Sequence, residues 1–220
     1  MGAPGLTTGL RPETFENLQL NAGCFIKNLA YKGTGAPTDS AALKTLITGI
    51  MAGTVTGKGD IIGATRGGGT FVITREIREP DIDGRRYPFK GGKFVDSADA
   101  RLTTTLVEIT VNNILMALGM PASAATTSGK VTTIKMHTAI DSDDYIENLC
   151  WVGDLADGRM ILICLKNALN TADFNLTFTD KNEGTLPVEI HAHQANVDDY
   201  DEAPFEIVYF DNPATTGGNH

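Results

Sequence analysis

The amino-acid sequence predicts a mainly β protein, an antiparallel β-sandwich or barrel with one or two short flanking helices. Composition is the first reason: the 220 residues include 24 glycines and 27 threonines, and 41% of them are hydrophobic. The second is that many short stretches alternate apolar and polar residues, which is typical of strands with one buried face. The third is that few stretches have amphipathic-helix spacing. We therefore expect one hydrophobic core, in a single domain over residues 1–220.

Both ends of the chain are predicted to be extended arms. Residues 1–12 and 211–220 are rich in Gly, Pro, Thr and Asn, so they are expected to order only against another chain. Strand character begins after the first arm, over residues 15–29, where apolar residues alternate.

A long glycine-rich loop with a short helix is predicted for residues 31–69. Asp39 or Ser40 is a suitable N-cap for a helix through Met51, with leucines and isoleucines on one stripe. Residues 53–69 hold seven glycines, which favours a mobile loop.

The middle of the chain predicts two strands around a basic turn, followed by a helix. Residues 70–78 place Phe71, Ile73 and Ile77 on one face, with Arg75 as the exception, and residues 100–109 are rich in β-branched side chains. The helix begins at residue 111 and is expected to stop at Gly119. After a small-residue loop, the remaining predicted strands are residues 131–138, 147–155, 159–169, 174–180, 186–194 and 205–210. Asp157-Gly158 is the strongest hairpin signal among them.

The beginning of the sequence has no basic, apolar leader, and no apolar stretch approaches the ~18 residues of a membrane span. The expectation is a soluble chain in the cytoplasm. Cys24, Cys150 and Cys164 are widely spaced without a CxxC pair, so buried reduced thiols are expected, with a single disulfide as the alternative.

Charge is divided unevenly along the chain. Residues 1–140 contain 15 Lys and Arg against 11 Asp and Glu, a net charge of +4, whereas residues 141–220 contain 3 against 16, a net charge of −13. An acidic C-terminal part is unsuited to adhesive nucleic-acid binding. It is suited to repelling DNA that slides past, to meeting the basic part of another copy, or simply to keeping the protein soluble.

No catalytic constellation is recognisable, so we expect neither an enzyme nor a cofactor. The glycine-rich stretch around Lys58 lacks phosphate-loop spacing. His191 and His193 lie two apart on a predicted strand, where a metal would need His137 or Glu189 as a further ligand. The spacing of these residues favours an exposed polar strand face instead. The acidic runs 141–144 and 198–202 do not follow a calcium-loop pattern and are interpreted as solvated loops.

The order of these features resembles the major tail tube proteins of long-tailed, siphovirus-like bacteriophages. The resemblance covers most of residues 15–210. It rests on the order and the local sequence of five segments: TFVITREIREPDIDG, YPFKGGKFVDSADARL, TLVEITVNNILMALG, DYIENLCWVGDLADGRMILICLKNAL and DFNLTFTDKNEGTLPVEIHAHQ. A tube protein of a contractile tail or of a phage-derived secretion device remains open.

The resemblance implies a structural virion protein that forms hexameric rings, which stack into a hollow tube for genome delivery. It also implies assembly in the host cytoplasm, contacts with tape measure, tail terminator and distal tail proteins, no membrane, and passage of DNA without adhesion. Basic residues of the turn and the glycine-rich loop are hypothesised to contact acidic residues of another copy, and the lumen wall is hypothesised to be negative. The contact candidates are Lys58, Arg66, Arg85, Arg86, Lys90, Lys93, Asp198, Asp199, Asp201 and Glu202.

The alternative from another class is a carbohydrate- or receptor-binding β-module. Such a module needs exposed aromatic side chains on a sheet face or in a concave loop. Trp151 is the only tryptophan, and its apolar strand predicts a core position.

Overall fold

A computed structural model describes residues 9–19, 21–199 and 202–213 of the chain, and within them it has ten strands and two α-helices. The strands are β1 (Cys24–Lys27), β2 (Asp60–Ile61), β3 (Thr65–Arg78), β4 (Phe94–Leu106), β5 (Ala125–Ser128), β6 (Val131–Ile134), β7 (Ile146–Asp154), β8 (Met160–Asn170), β9 (Leu186–His191) and β10 (Phe205–Phe210). The helices are α1 (Ser40–Met51) and α2 (Val111–Ala117). The predicted mainly β, antiparallel fold with short helices is confirmed.

Eight strands form one antiparallel assembly in the order β2-β1-β7-β8-β9-β4-β3, and β10 pairs with β8 from the side. β8 belongs to two layers, because its first part pairs with β7 and β10 whereas Leu169 and Asn170 pair with β9. Asn167, which lies just before this change of partner, has a φ of 45°, which is rare for a residue other than glycine. Strands that pass from one sheet to another at such a bend make the corner of a sandwich.

Two apolar clusters lie on opposite faces of the layer that contains β7 and β8. The first fills the space between the two layers and includes Phe25, Leu102, Leu165 and Leu186. The second lies under α1 and includes Leu43, Ile47, Cys150, Leu162 and Cys164. Alternation along β7 and β8 places successive side chains in one cluster and then in the other, so these strands are apolar on both faces.

Both helices begin where the sequence predicts. The Asp39 side chain accepts a hydrogen bond from the backbone N–H of Ala42 (2.8 Å), and Thr110 caps α2 through the N–H of Asn113 (3.2 Å). N-capping oxygens satisfy N–H groups that have no partner inside a helix. Gly119 follows α2 with a φ of 61°, in agreement with the predicted stop.

Several local predictions are wrong. Residues 94–99, predicted as part of the basic turn, form the start of β4, because they pair with the outer half of β3. Residues 174–180 are not a strand: Thr177 makes one isolated bridge to Thr185, and Phe178 is exposed. No described strand pairs with these residues beyond that bridge, so their alternating side chains do not belong to a ladder of backbone hydrogen bonds. Conversely, β5 lies in the predicted small-residue loop, and β2 and the start of β3 lie in the predicted mobile loop. Only Cys24–Lys27 of residues 15–29 is a strand.

All three cysteines are free thiols, and Cys150 lies directly opposite Cys164 across the β7–β8 pair. Cys150 and Cys164 are buried as predicted, whereas Cys24 is only half-buried. No helix in the described residues is long and apolar enough to cross a membrane.

Candidate functional site

The strands β3 and β4 continue beyond the body of the protein as a two-stranded arm. β4 pairs with β9 only between Arg101 and Leu106, so β3 is the one described strand that pairs with residues 94–98. Every residue of 73–78 and of 94–98 is exposed. At a rise of about 3.3 Å per residue, the five steps from Ile73 to Arg78 carry the arm roughly 17 Å outward. An isolated two-stranded ribbon is only marginally stable in water, so this arm is suited to being covered by another surface.

One face of the arm is apolar where the body no longer covers it. Phe71 packs edge-to-face on Phe205 with ring centroids 5.6 Å apart, at the base of the arm. Ile73, Arg75 and Ile77 follow on the same side of β3, as the sequence predicts, and the two isoleucines are 41% and 53% exposed. Val95 lies opposite Ile77 and is 55% exposed. Apolar side chains therefore continue from the core into solvent on this face, with Arg75 between them.

The tip of the arm, residues 79–93, combines aromatic and basic side chains. Arg85 donates to the carboxylate of Glu79 (2.6 Å), and both side chains are only 22% exposed, so this ion pair fixes the course of the loop. Tyr87 is 81% exposed and Phe89 is 54% exposed. Arg86, Lys90 and Lys93 are exposed and form no ion pair with any residue that the structure describes.

A groove of about 740 Å³ runs along the shaft of the arm, with Ile73 and residues 95–100 on one side and the chain that leads into β10 on the other. Its apolar lining includes Ile73, Val95, Ala100 and Phe205, and Glu202 also lines it. Glu202 accepts a hydrogen bond from the ammonium group of Lys166 (2.9 Å) and is still 69% exposed. Hydrogen bonds to Glu202 and Glu206 raise the pKa of Lys166 above its ordinary value, so the lysine stays charged.

The sandwich has two long edges that no described strand covers. β3 pairs with β4 alone, and β10 pairs with β8 alone. On β10, Ile207 and Tyr209 are 46% and 61% exposed, while the intervening Val208 packs on the cluster under α1. Unpaired strand edges offer N–H and C=O groups for pairing with another chain.

The structure brings together only part of the contact set predicted from sequence. Arg85, Arg86, Lys90 and Lys93 share the arm tip, and Asp198, Asp199 and Glu202 belong to the segment between β9 and β10. Asp201 lies outside the described residues. Arg66 pairs with Glu183 at the far end of β3, about 40 Å of strand from Arg78, and Lys58 is half-buried before β2. Lys58 and Arg66 therefore do not belong to the tip cluster.

The histidines do not form one site. His191 contacts Asp99 through Nδ1 (2.6 Å) and Glu189 through Nε2 (3.2 Å). His193 lies beyond the end of β9, where Nδ1 is 3.0 Å from the carbonyl oxygen of Asn167 and the ring packs on Tyr145. Among the described residues no group of three or more His, Cys, Asp or Glu side chains is arranged to hold a metal.

Arg101 completes the His191 cluster by donating to Asp99 (3.0 Å). Partial burial acts to raise the pKa of Asp99, but the hydrogen bonds from His191 and Arg101 outweigh it and leave that pKa below its ordinary value. His137 is a separate case, 3.1 Å from the buried carboxylate of Asp144. These contacts hold strands and turns together.

Trp151 packs against the cluster between the layers, as predicted, and its indole N–H donates to the carbonyl oxygen of Ala22 (2.9 Å). Sequence reasoning missed the groove and the exposed Ile207 and Tyr209. The only sequence signal for the latter pair is the alternation in FEIVYF, which does not reveal that β10 is an edge strand. No protein-family model matches this chain, and a search of the curated proteins gave no match.

Proposed function

We propose that this protein is a structural building block that assembles with identical copies into a hollow tube, a phage tail tube made of stacked rings. The observation that carries the proposal is the arm. Its shaft is exposed on both strands, one face of it carries the exposed Ile73, Ile77 and Val95, and its tip presents Tyr87 and Phe89 to solvent. Contiguous exposed apolar surface with a polar rim marks a site of protein association.

The geometry favours a heterologous contact, in which one surface of a copy meets a different surface of the next. The arm protrudes on one side of the sandwich, and the two uncovered sheet edges belong to different strands, β3 and β10. Repeated heterologous contacts close into rings or continue as an open assembly. If β3 of one copy paired with β10 of its neighbour in a ring, neither edge would keep unpaired backbone N–H and C=O groups.

The resemblance of the sequence to tail tube proteins supplies the biological role. A tube of this kind conducts DNA, and a net charge of −9 is compatible with a wall that does not hold phosphate. Association with other tail proteins at the ends of the tube belongs to the same proposal.

Negative-stain microscopy and sedimentation of the purified full chain over a concentration series test this function. We expect rings or tubes of uniform bore that become more abundant with concentration. The comparison variant replaces residues 77–95 by an Asn-Gly turn, which shortens the arm and leaves the body strands intact. It should remain folded by circular dichroism and form no tubes. If the full chain stays monomeric at every concentration, or the shortened chain assembles equally well, the proposal is wrong. A monomer that binds glycans would favour the β-module instead.

A further inference from the structure

We infer that Cys150 and Cys164 are an oxidation site, at which a low-molecular-weight disulfide joins strands β7 and β8 through a protein disulfide while the chain folds. The inference does not depend on the proposed assembly. Both residues are free thiols in the structure, and they lie directly opposite each other in the β7–β8 pair.

The register of the ladder places the two cysteines at a position that suits a disulfide. The N–H of Leu155 donates to the carbonyl oxygen of Arg159 (2.8 Å), so these two residues face each other as a hydrogen-bonded pair. Hydrogen-bonded and non-hydrogen-bonded pairs alternate along an antiparallel ladder, and Cys150 and Cys164 lie five pairs further on. They are therefore a non-hydrogen-bonded pair, in which the Cα atoms are about 4.5 Å apart and the side chains are closest. Disulfides span Cα distances of about 4.4–6.8 Å.

Strand β1, on the other side of β7, supports this assignment and excludes the third cysteine. The N–H of Asn28 donates to the carbonyl oxygen of Asn148 (2.7 Å). Backbone groups two residues apart on a strand point the same way, so Cys150 also directs its N–H and C=O to β1 and not to β8. Cys24 lies opposite Val152 and is thus diagonal to Cys150. Diagonal neighbours are about 7–8 Å apart, which a disulfide does not span without movement of the backbone.

Both thiols are buried, and their surroundings suit a disulfide. Each residue is 0% exposed, in the apolar cluster that α1 covers with Leu43 and Ile47. The thiols are hydrogen-bonded to each other, and Sγ of Cys150 also donates to Oδ1 of Asn148 (3.3 Å). Oxidation removes both S–H groups, but Oδ1 of Asn148 still accepts from the N–H of Leu29 (2.9 Å). A disulfide therefore leaves that oxygen with a partner and adds no polar group to the cluster.

The disulfide forms by two exchange steps with a small disulfide such as oxidised glutathione. The thiolate of one cysteine attacks a sulfur of the small disulfide, whose S–S bond breaks and releases one glutathione thiolate. The thiolate of the second cysteine then attacks the protein sulfur of the mixed disulfide and releases the other glutathione. The protein loses two electrons, the small disulfide gains them, and the two thiol protons pass to the two glutathione molecules. Because burial closes the folded site to glutathione, the exchange takes place as the strands pair during folding.

Refolding of the full chain in a glutathione redox buffer tests the inference. The denatured, reduced protein is diluted into a mixture of reduced and oxidised glutathione, and circular dichroism verifies that it has refolded. Free thiols are then alkylated, and disulfides are located by mass spectrometry of peptides. We expect a bond between Cys150 and Cys164, with Cys24 alkylated.

A relocated thiol separates the effect of register from chance proximity in the chain. Two variants carry Cys24→Ala, and one of them, the swapped chain, also carries Cys150→Val and Val152→Cys within the same buried cluster. The swap keeps the volume and composition of the cluster and brings the two thiols closer in sequence. It places the moved thiol opposite Leu162 and diagonal to Cys164. The equilibrium constant for disulfide formation should be at least about tenfold lower in the swapped chain.

Thermal unfolding of the wild type measures what the bond contributes. The bond closes a loop of 15 residues, from Cys150 to Cys164. Such a loop restricts the unfolded chain, so the oxidised protein should have a Tm roughly 6–12 °C above that of the reduced protein. The inference is overturned if the refolded wild type keeps three alkylated cysteines, if Cys24 takes part in the bond, or if the swapped chain is oxidised as readily. An oxidised protein that unfolds at or below the Tm of the reduced protein would also overturn it, because native strand pairing would then not favour the bond.

Discussion

Asn170 is a buried amide that joins three elements, so its replacement by alanine should destabilise the protein strongly. Its Nδ2 donates to the carbonyl oxygens of Ala117 (2.7 Å) and Ala172 (3.1 Å), and its Oδ1 accepts from the N–H of Glu189 (2.9 Å). The residue is 8% exposed, so water does not readily replace these bonds. Each hydrogen bond contributes about 1 kcal/mol net, and the three together give roughly 3 kcal/mol.

Chemical and thermal unfolding measure this loss. For a chain of this length, each kcal/mol lowers Tm by roughly 2–4 °C, so Asn170→Ala should unfold roughly 6–12 °C below the wild type. Asn182→Ala removes the same side chain from an exposed position and should change the free energy of unfolding by at most about 0.5 kcal/mol. If the two variants are equally stable, the hydrogen-bond reasoning is wrong.

Asn170→Asp distinguishes the loss of hydrogen bonds from the loss of side-chain volume, because aspartate has nearly the volume of asparagine. The carboxylate keeps an acceptor for the N–H of Glu189 but faces the carbonyl oxygens of Ala117 and Ala172 without a proton to donate. Burial and these carbonyls raise the pKa of the new carboxyl in the folded state above its unfolded value. The variant should therefore be least stable at neutral pH and recover part of the loss as the pH falls and the group is protonated. A deficit that does not depend on pH would contradict this account.

Three further predictions concern the core, the polar cluster and the thiols. Gly69→Ala should lower the free energy of unfolding by roughly 1–3 kcal/mol in urea titrations, because a Cβ at Gly69 would lie 2.5 Å from Cζ of Phe25; an unchanged midpoint would contradict this. Because the pKa of Asp99 is lowered in the folded state, its contribution to stability should be complete above about pH 4 and lost as the pH falls further. Asp99→Asn should thus reduce the acid-side loss of stability of the wild type, and an identical pH profile would count against the His191 contact. Burial raises the pKa of the Cys150 thiol, so Cys150 should react with a thiol reagent only after unfolding, as followed by mass spectrometry; rapid labelling of the native protein would refute its burial.

The fold was predictable from sequence wherever a local pattern decides the structure. β10 has the predicted bounds, and the turn at Asp157-Gly158 joins β7 to β8 as expected, with a φ of 89° at Gly158 that favours glycine. Residues 174–180 have equally clear alternation and are not a strand. Alternation describes a surface that fits a sheet, whereas a ladder also needs a partner strand, and the partner is set by the rest of the fold.

The same distinction explains which part of the candidate site sequence reasoning found. The basic turn is contiguous in sequence, so Arg85, Arg86, Lys90 and Lys93 were found together. The groove is assembled from β3, β4 and the segment after β9, which are distant in sequence and meet through the pairing of β4 with β9 and the contact of Phe71 with Phe205. Lys58 and Arg66 belong to the predicted contact set because of their charge, which carries no information on their distance from the turn.

The exposed apolar side chains of the arm raise the question of what prevents disordered aggregation. Apolar attraction is non-directional, so the shaft residues Ile73, Ile77 and Val95 alone would associate with any similar surface. Direction has to come from the polar residues around them: the Arg85–Glu79 ion pair fixes the course of the tip loop, and Arg75 separates Ile73 from Ile77 on the same face of β3. A partner surface must satisfy these charges as well as cover the apolar side chains, which restricts the surfaces that fit. If the proposed function holds, this restriction is the property that separates ordered growth from precipitation of the same chain.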